Sequence, residues 1–544
     1  MKIIVIHGLP GSGKSTLSHL ISKKTNLPLL SKDEIREGLF EKYGFRSHAE
    51  KQKLSNEADK ILLNQIDFYF KKNMDIIVDK YVRNWKPYES LFLKGVDVKI
   101  IYLSAPAKVL AARYHKRVLD SKGRALSART QDIYPFVQGK SHLTPDMTIQ
   151  EYESMARNVI PSNPVFSFDE ISTENIESNQ TQILDAIERI INKPRKSFDY
   201  VVIGAGITGL TIAERISTQL NKKVLIIDKQ NQIGGACYDE VNEYGLLIGK
   251  FGPHTFHTDD KEVFEYFNKF CVWHEYYHYA KSYIDGKWVS FPITKQTFKD
   301  LYGVDLSDDE MESFVAEHKK EIEEKFFENF TKKQWGVDRS ELDPSVTARI
   351  PFRKNYDTRY FTDKYQGNPV GGYTKLFKKM IDSPNISIVL GYDYKEIINS
   401  ISFKKMVYTG PIDYYFSAIL GPLLYRSVNF TFETYKMDSY QPQASARFPG
   451  NEVPYTRITE FKKMTGQESE YTTILKEVPC FGGIEYYPYW TKKYLALAEK
   501  YRELAKKEKD VYFAGRLGGY RYLDMDDAIR NALDVFERIK KEDD

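Results

Sequence analysis

Cysteine is scarce in this 544-residue chain: Cys237, Cys271 and Cys480 stand far apart and form no C-x-x-C pair. That spacing offers neither a disulfide framework nor a zinc site. Long apolar runs are missing as well, and nothing approaches the ~18 consecutive apolar residues of a membrane span. The apolar opening MKIIVIHGLPGSGK is broken by glycines and a lysine before any leader-peptide pattern develops. A cytoplasmic protein with no membrane partner is the expectation. Charge of one sign is lacking too: a net +4 makes no case for bulk nucleic-acid binding. Aromatics, in contrast, are plentiful at 14%, with 39 tyrosines. Most should be core, although tyrosine also suits sugar and nucleotide pockets. The length calls for roughly two to four domains.

Two segments open alike, with a β-branched run, a glycine-rich loop and then a helical pattern. The first is Ile3–His7 followed by GLPGSGKST; the second is Tyr200–Ile203 followed by GAGITG. Strand, glycine loop and helix are how an α/β nucleotide-binding domain opens. Two such openings about 200 residues apart imply two separate domains. Between them, after the amphipathic run Thr181–Ile191, lies a polar stretch containing Pro194. The expected division is residues 1–192, a linker at 193–198, and 199–544. In the first part, apolar runs at Ile3–His7, Leu27–Leu30, Asp75–Asp79, Val98–Ser104 and Pro164–Ser167 alternate with helical patterns. That predicts a three-layer α/β domain around a five-stranded parallel sheet. In the second, a βαβ start over Tyr200–Asp228 gives way to a charged helical stretch near Ser307–Asn329, then to strand-like segments, and last to a helix after Asp524. The expectation there is an α/β dinucleotide-binding domain with helical and antiparallel-sheet subdomains.

Gly8-Leu-Pro-Gly11-Ser12-Gly13-Lys14-Ser15, followed by Thr16, fits G-x-x-x-x-G-K-[ST]. The glycines let backbone N–H groups wrap phosphate oxygens, with the helix N-terminus adding partial positive charge. Lys14 would reach the β and γ phosphates of ATP, and Ser15 would ligate Mg²⁺. Asp79, ending the run Ile76-Ile-Val-Asp, sits where a second carboxylate would hold the metal; capping the next turn is its structural alternative. Asp33 follows the second strand at the substrate lip of the sheet. A carboxylate there can take the proton of an acceptor hydroxyl, which makes Asp33 and Lys14 the catalytic candidates. Arg113, Arg117, Arg124 and Arg129 would serve as a lid over the transferring phosphate, or as solvated surface charge. No NKxD base-reading motif supports a GTPase. This layout resembles the small P-loop kinases of the polynucleotide-kinase and zeta-toxin type. That resemblance supplies a reaction but no acceptor, for which a sugar is one candidate. An ATP-binding regulatory domain is the alternative.

In the second part, Gly204-Ala-Gly206-Ile-Thr208-Gly209 follows the strand Tyr200-Val-Val-Ile, and Val224-Leu-Ile-Ile-Asp228 ends in a carboxylate 19 residues after Gly209. That is a dinucleotide fingerprint: a tight turn, close approach to pyrophosphate, and an acid for the ribose. Gly234-Gly235 adds a further close-approach pair. No second such fingerprint follows, so one dinucleotide is expected rather than two.

Beyond those loops the sequence resembles the UDP-galactopyranose mutases. The string FDYVVIGAGITGL…VLIIDKQNQIGGACY…GKFGPHTFHT carries the likeness. So do Lys333-Gln-Trp-Gly336, Tyr365-Gln-Gly, Val453-Pro-Tyr-Thr-Arg-Ile-Thr-Glu460 and Gly515-Arg-Leu-Gly-Gly-Tyr-Arg-Tyr-Leu-Asp-Met-Asp526, in the family's order over 198–540. The resemblance implies interconversion of UDP-galactopyranose and UDP-galactofuranose with FAD, active when reduced, and a homodimer. It implies that Arg353 and Arg457 meet the diphosphate, with Arg349 a further candidate. Phe330 and Trp335 would lie on a mobile loop over the uracil. Tyr365, Tyr487 and Tyr522 would meet phosphate, Glu477 the sugar, and His254 and His257 the flavin ring, a His-x-x-His metal site being the alternative. Lys229, Arg516, Asp524 and Met525 complete the flavin contacts. Departures are equally visible. Asp228 stands for a glutamate, Phe330 for a tyrosine, and Thr294 for an asparagine that would touch substrate, which leaves N-acetylgalactosamine and arabinose nucleotides open. A flavin oxidoreductase of the amine-oxidase type is the competing reading.

Overall fold

The computed structural model describes residues 1–45, 47–119, 167–193, 197–343 and 353–543. Its chain divides into two compact units, Met1–Ser197 with Lys395–Ser402, and Phe198–Tyr394 with Phe403–Asp544.

In the first unit, β1 (Lys2–Gly8), β2 (Leu29–Ser31), β3 (Ile76–Asp79), β4 (Asp97–Ser104) and β5 (Ser167–Ser172) form one sheet in the order β2-β3-β1-β4-β5. Every pair is parallel. A central parallel strand must be apolar on both faces, and Ile3, Ile4, Val5 and Ile6 are all fully buried. The helix Gln180–Asn192 presents Ile183, Ile187, Ile190 and Ile191 on one stripe, packed on Ile4, Ile6, Leu17 and Ile21. Each isoleucine so buried contributes about 2 kcal/mol; an aspartate at Ile187 would break this layer. Residues 164–166 of the expected last strand lie outside the described residues; the described strand runs through Ser-Phe-Asp-Glu-Ile-Ser. Among the described residues it pairs only with β4. An edge strand with one neighbour tolerates Asp169 and Glu170, and so does not read as an apolar run.

The second unit opens with a parallel sheet whose strands lie in the order Ile386–Leu390, Val224–Asp228, Phe198–Ile203, Phe403–Tyr408, Val511–Phe513. The helix Ile207–Gln219 packs Leu210, Ala213 and Ile216 into the same core that takes Ile529, Ala532, Phe536 and Ile539 of the last helix, Met525–Asp543. A seven-stranded mixed sheet follows, ordered Lys287–Phe291, Ala280–Ile284, Ser445–Arg447, Arg457–Glu460, Thr472–Cys480, Tyr425–Tyr435, Tyr487–Pro488. Only the Ala280–Ile284 and Ser445–Arg447 pair is parallel. The charged helical stretch resolves into Asp308–Glu317, Lys319–Glu323, a π-helical turn at Glu324–Glu328 and Asn329–Trp335. Ser307 caps it through a capping box with Glu310. Among the described residues no helix is long and apolar enough to cross a membrane.

Candidate functional site

In the first unit the sequence GLPGSGK leaves β1 and turns into the helix Lys14–Thr25, with Gly13 as N-cap. Gly13 has φ +86, and a Cβ there would meet Ile176 Cδ1 at 2.6 Å. Only glycine closes this turn. Gly8 ends β1, Gly11 and Ser12 form the bend, and Lys14 to Thr16 open the helix, Lys14 largely buried. Asp79 ends β3 beside Ile6 of β1 and Ser31 of β2. It is 2% exposed, and neither carboxylate oxygen has a hydrogen-bond partner. Burial pushes its carboxyl above the usual range, against the opposing influence of Lys14 and the Ser15 hydroxyl. A buried, orphaned carboxylate facing a serine hydroxyl and a lysine is the donor set that magnesium and a nucleotide phosphate require, so these residues fit Mg-ATP.

Asp33 lies in the first turn of Lys32–Tyr43 and pairs with Arg36 at 2.8 Å. Arg113 is not free to act as a lid. Its guanidinium donates to the carbonyls of Thr173 and Glu174 at 2.9 and 2.7 Å, which ties its helix to the turn after β5. Arg124 and Arg129 lie outside the described residues, as does the side chain of Arg117.

In the second unit Gly204 and Gly206 make the turn, and Thr208 and Gly209 begin the helix. Gly234 donates to the Ala205 carbonyl at 2.7 Å and bridges Gly206. Gly235 has φ +55, and a Cβ on it would come within 3.0 Å of the Gly206 Cα. Two bare backbones meet there, the close approach that a pyrophosphate over a helix N-terminus requires. Asp228 accepts from the Ala205 and Gln230 N–H groups at 2.6 and 2.7 Å. Burial holds its carboxyl above the usual range, and the remaining lone pairs suit ribose hydroxyls. This cradle fits a dinucleotide. Lys229 is turned to Glu485 at 3.2 Å.

Several of the candidates meet in one cluster. Arg457 and Glu477 are directly opposed on adjacent strands and form two hydrogen bonds of 2.8 Å. Tyr487 and Tyr522 stack at 5.7 Å, with the Arg516 guanidinium 5.2 and 5.3 Å from their rings. Both tyrosines pack against the cluster formed by Trp335, Leu342 and Tyr489. His254 is pushed down to about 4 by burial and by the charges of Arg516 and Arg457; its Nδ1 lies 3.2 Å from the Gly252 carbonyl. Gly515, next to Arg516, approaches Thr208 so closely that a Cβ would meet its Oγ1 at 3.0 Å. The cluster therefore abuts the glycine turn.

His257 stacks on Phe361 at 3.6 Å and faces Asp363 at 3.4 Å. Burial lowers its pKa, but Asp363 chiefly, with Asp526 and Asp524, carries it above the ordinary value. Asp524 precedes the helix that Met525 opens.

Other candidates are placed differently from the expectation. Phe330 and Trp335 lie on a helix, not a loop, and Trp335 is buried in the aromatic cluster. Trp335 shares its buried face with Thr331, one turn earlier, so that face includes a polar residue and does not read as an apolar stripe. Arg353 donates to the carbonyls of Asp357, Arg359 and Tyr360 at 3.1, 2.6 and 3.1 Å, closing its own loop. Arg516 likewise serves the Leu523 and Tyr486 carbonyls. Tyr365 stacks on Phe264 at 4.1 Å. Thr294 is fully buried as the N-cap of Lys295–Tyr302, its N–H donating to Thr297 Oγ1 at 2.9 Å. Arg349 lies outside the described residues.

Three residues in this region take no role from the sequence alone, although Lys333 opens the motif Lys333-Gln-Trp-Gly336. His278 is buried, hydrogen-bonded to the Tyr276 hydroxyl at 3.0 Å, and lowered by burial to about 3. Arg447 is buried between the rings of Phe291 and Phe330. Lys333 Nζ donates to four carbonyls, Phe448, Gly450, Val453 and Tyr455, at 2.5, 2.5, 3.2 and 3.1 Å. It thereby holds the loop that leads into the Arg457 strand.

Comparison with known proteins gives three family matches: an AAA domain over residues 3–133, an NAD(P)-binding Rossmann-like domain over 202–270, and UDP-galactopyranose mutase over 325–522. Over 117 residues the chain is 32% identical to a cytidylate kinase of Sulfurisphaera tokodaii, covering 21% of this chain and 62% of that protein. It is 34% identical over 363 residues to a dTDP-fucopyranose mutase of Escherichia coli, covering 61% of this chain and 96% of the relative. A crystal structure of reduced UDP-galactopyranose mutase shares the fold at a TM-score of 0.52 and 16% identity, across 64% of this chain and 96% of that one. A probable UDP-galactopyranose mutase of Klebsiella pneumoniae is 37% identical over 357 residues, 61% of this chain and 92% of its own. The first unit is thus a kinase-like P-loop domain, and through its second unit the chain belongs to the UDP-galactopyranose mutase family.

Proposed function

We propose that the second unit interconverts UDP-galactopyranose and UDP-galactofuranose, with FAD held in the glycine cradle and active when reduced. The supporting observation is the single cluster of Arg457, Glu477, Arg516, Tyr487, Tyr522 and His254 set against that cradle through Gly515 and Thr208. Gly204, Gly206, Gly234, Gly235 and Asp228 would bind the dinucleotide, and reduced flavin supplies the electron-rich centre for a rearrangement with no net redox change. Loss of UDP from the anomeric carbon builds charge on the diphosphate, and a fixed cation facing it lowers that barrier. Arg457 suits the task. Its fork is oriented by Glu477, yet a third of the side chain stays exposed. His254, neutral near pH 7, offers a hydrogen bond rather than a charge. His257, raised by Asp363, holds a proton more readily than a free imidazole does.

The test is chromatography of nucleotide sugars after incubation with dithionite-reduced protein, starting from UDP-galactopyranose. Parallel runs use dTDP-fucose, UDP-N-acetylgalactosamine and UDP-arabinose. Ring contraction of one of them is expected; net oxidation without isomerisation would sink the reading and favour an oxidoreductase.

For the first unit we infer phosphoryl transfer from Mg-ATP to a hydroxyl acceptor. Lys14 would neutralise the transferring phosphate, Ser15 and Asp79 would hold the metal, and Asp33 would take the acceptor proton. A labelled-ATP screen against sugars, nucleosides and oligonucleotide 5′ ends tests it. Transfer to none of them, with tight ATP binding that changes mutase turnover, would instead make the unit regulatory.

A further inference from the structure

One row of side chains crosses the seven-stranded sheet on a single face. Residues directly opposite in a register point the same way. The pairings Val289↔Ser282, Ser282↔Arg447, Arg447↔Arg457, Arg457↔Glu477 and Glu477↔Phe430 therefore define the row. It holds two arginines and one glutamate. Glu477 takes both hydrogen bonds from Arg457, so Arg447 is left over.

Arg447 is 5% exposed, and among the described residues no carboxylate pairs with it. Its guanidinium lies 3.6 Å from the Phe291 centroid and 4.2 Å from that of Phe330. A guanidinium sandwiched between rings can meet a ligand only along its N–H edge, in plane. Along that edge Nη1 has no hydrogen-bond partner. Next to it on the row, Ser282 Oγ is buried and unpartnered, and so is Thr459 Oγ1, two residues along from Arg457 on the same face. Like charges placed directly opposite each other destabilise a sheet, and a buried cation without a counter-ion costs more still. The unsatisfied groups are a guanidinium and two hydroxyls, all able to donate. Their common complement is an oxyanion.

We propose that Arg447, with the Ser282 and Thr459 hydroxyls, binds an anionic oxygen group of the nucleotide-sugar substrate. The group is either the diphosphate or a carboxylate on the sugar. This inference rests on the mutase reading and adds to it a specificity-determining cation. Arg457 is already matched by Glu477, so Arg447 adds a cation that no carboxylate among the described residues matches.

The test measures dissociation constants of the full-length FAD-loaded protein for UDP, UDP-galactose and UDP-galacturonate, in the wild type, Arg447→Met and Arg447→Lys. Methionine keeps the stem and removes the charge. The ligand-free Met variant should melt no lower than the wild type, since it loses an uncompensated buried charge. It should bind at least one ligand about thirtyfold more weakly, the loss expected for one charge-assisted contact. The Lys variant should fall between. Weakening of all three ligands assigns the anion to the diphosphate; weakening of UDP-galacturonate alone assigns it to the sugar. Affinities within twofold of wild type for all three ligands in the Lys variant, or in a folded Met variant, overturn the proposal. Wild-type protein that binds none of the three removes the mutase reading itself, and the inference with it.

Discussion

Arg457 and Glu477 face each other across two antiparallel strands and share two hydrogen bonds of 2.8 Å. Neither can be changed without stranding the other. Glu477 is the more buried, its side chain 8% exposed against 33% for Arg457. Arg457→Ala should therefore cost about 2–3 kcal/mol of stability, below the figure for a fully buried pair because solvent reaches the arginine. It should also lower kcat/KM for the UDP-sugar by roughly 30- to 1000-fold. Arg457→Met with Glu477→Gln should recover most of the stability and none of the turnover. Thermal melts and single-turnover assays on the double-mutant cycle check both halves; additive stability losses would show that the pair is not coupled.

Acid should weaken the second unit from about pH 6.5 downward. His278, lowered by burial to about 3, stays neutral in the folded protein. In the unfolded chain it takes a proton below about pH 6.5. Between those values the unfolded state binds the extra proton, so stability is complete above about pH 6.5 and is lost as pH falls towards 3. His254, at about 4, adds in the same direction. Denaturant melts from pH 7 to 4 should show this slope, and His278→Gln should flatten it by up to one proton. An unchanged slope would mean that His278 is not held neutral.

Magnesium should matter to the first unit through Asp79. In the wild type, Mg²⁺ is expected to tighten ATP binding. Asp79→Asn should remove that gain, by about tenfold or more, because the amide cannot neutralise a cation. The same variant should melt higher than wild type without metal, as its orphaned buried carboxylate is gone. Titration calorimetry with and without Mg²⁺ decides; equal Mg²⁺ dependence in both proteins would reduce Asp79 to a cap.

Asp33→Asn should keep ATP affinity and lose transfer by at least about a hundredfold, the contribution of a positioned general base. Arg36→Ala provides the control. It frees Asp33 from its 2.8 Å partner and should alter acceptor KM more than kcat. A radiolabel transfer assay on the acceptor found by screening reads both, and full transfer by Asp33→Asn would reassign the base.

The two nucleotide loops were legible because glycine spacing encodes backbone conformation directly: Gly13 and Gly235 stand where positive φ and close approach are needed. Asp79 was legible because it ends a β-branched run. Arg447 was not, for its meaning lies in register. The segment 448–456 separates it from Arg457, and its other neighbour, Ser282, is 165 positions upstream. Arg113, Arg353 and Arg516 were only half legible. Their positions invite an anion, but the structure gives each of them backbone carbonyls, which every residue carries and no motif marks.

Lys333 has a consequence of the same kind. Four carbonyls surround its ammonium much as carbonyls surround a potassium ion in a filter, and three N–H bonds must be shared among them. This ion, however, is bolted to a helix and cannot diffuse away. Its occupancy follows no mass action, so the loop it organises should keep its order from low salt to high, unlike a loop built around an exchangeable cation.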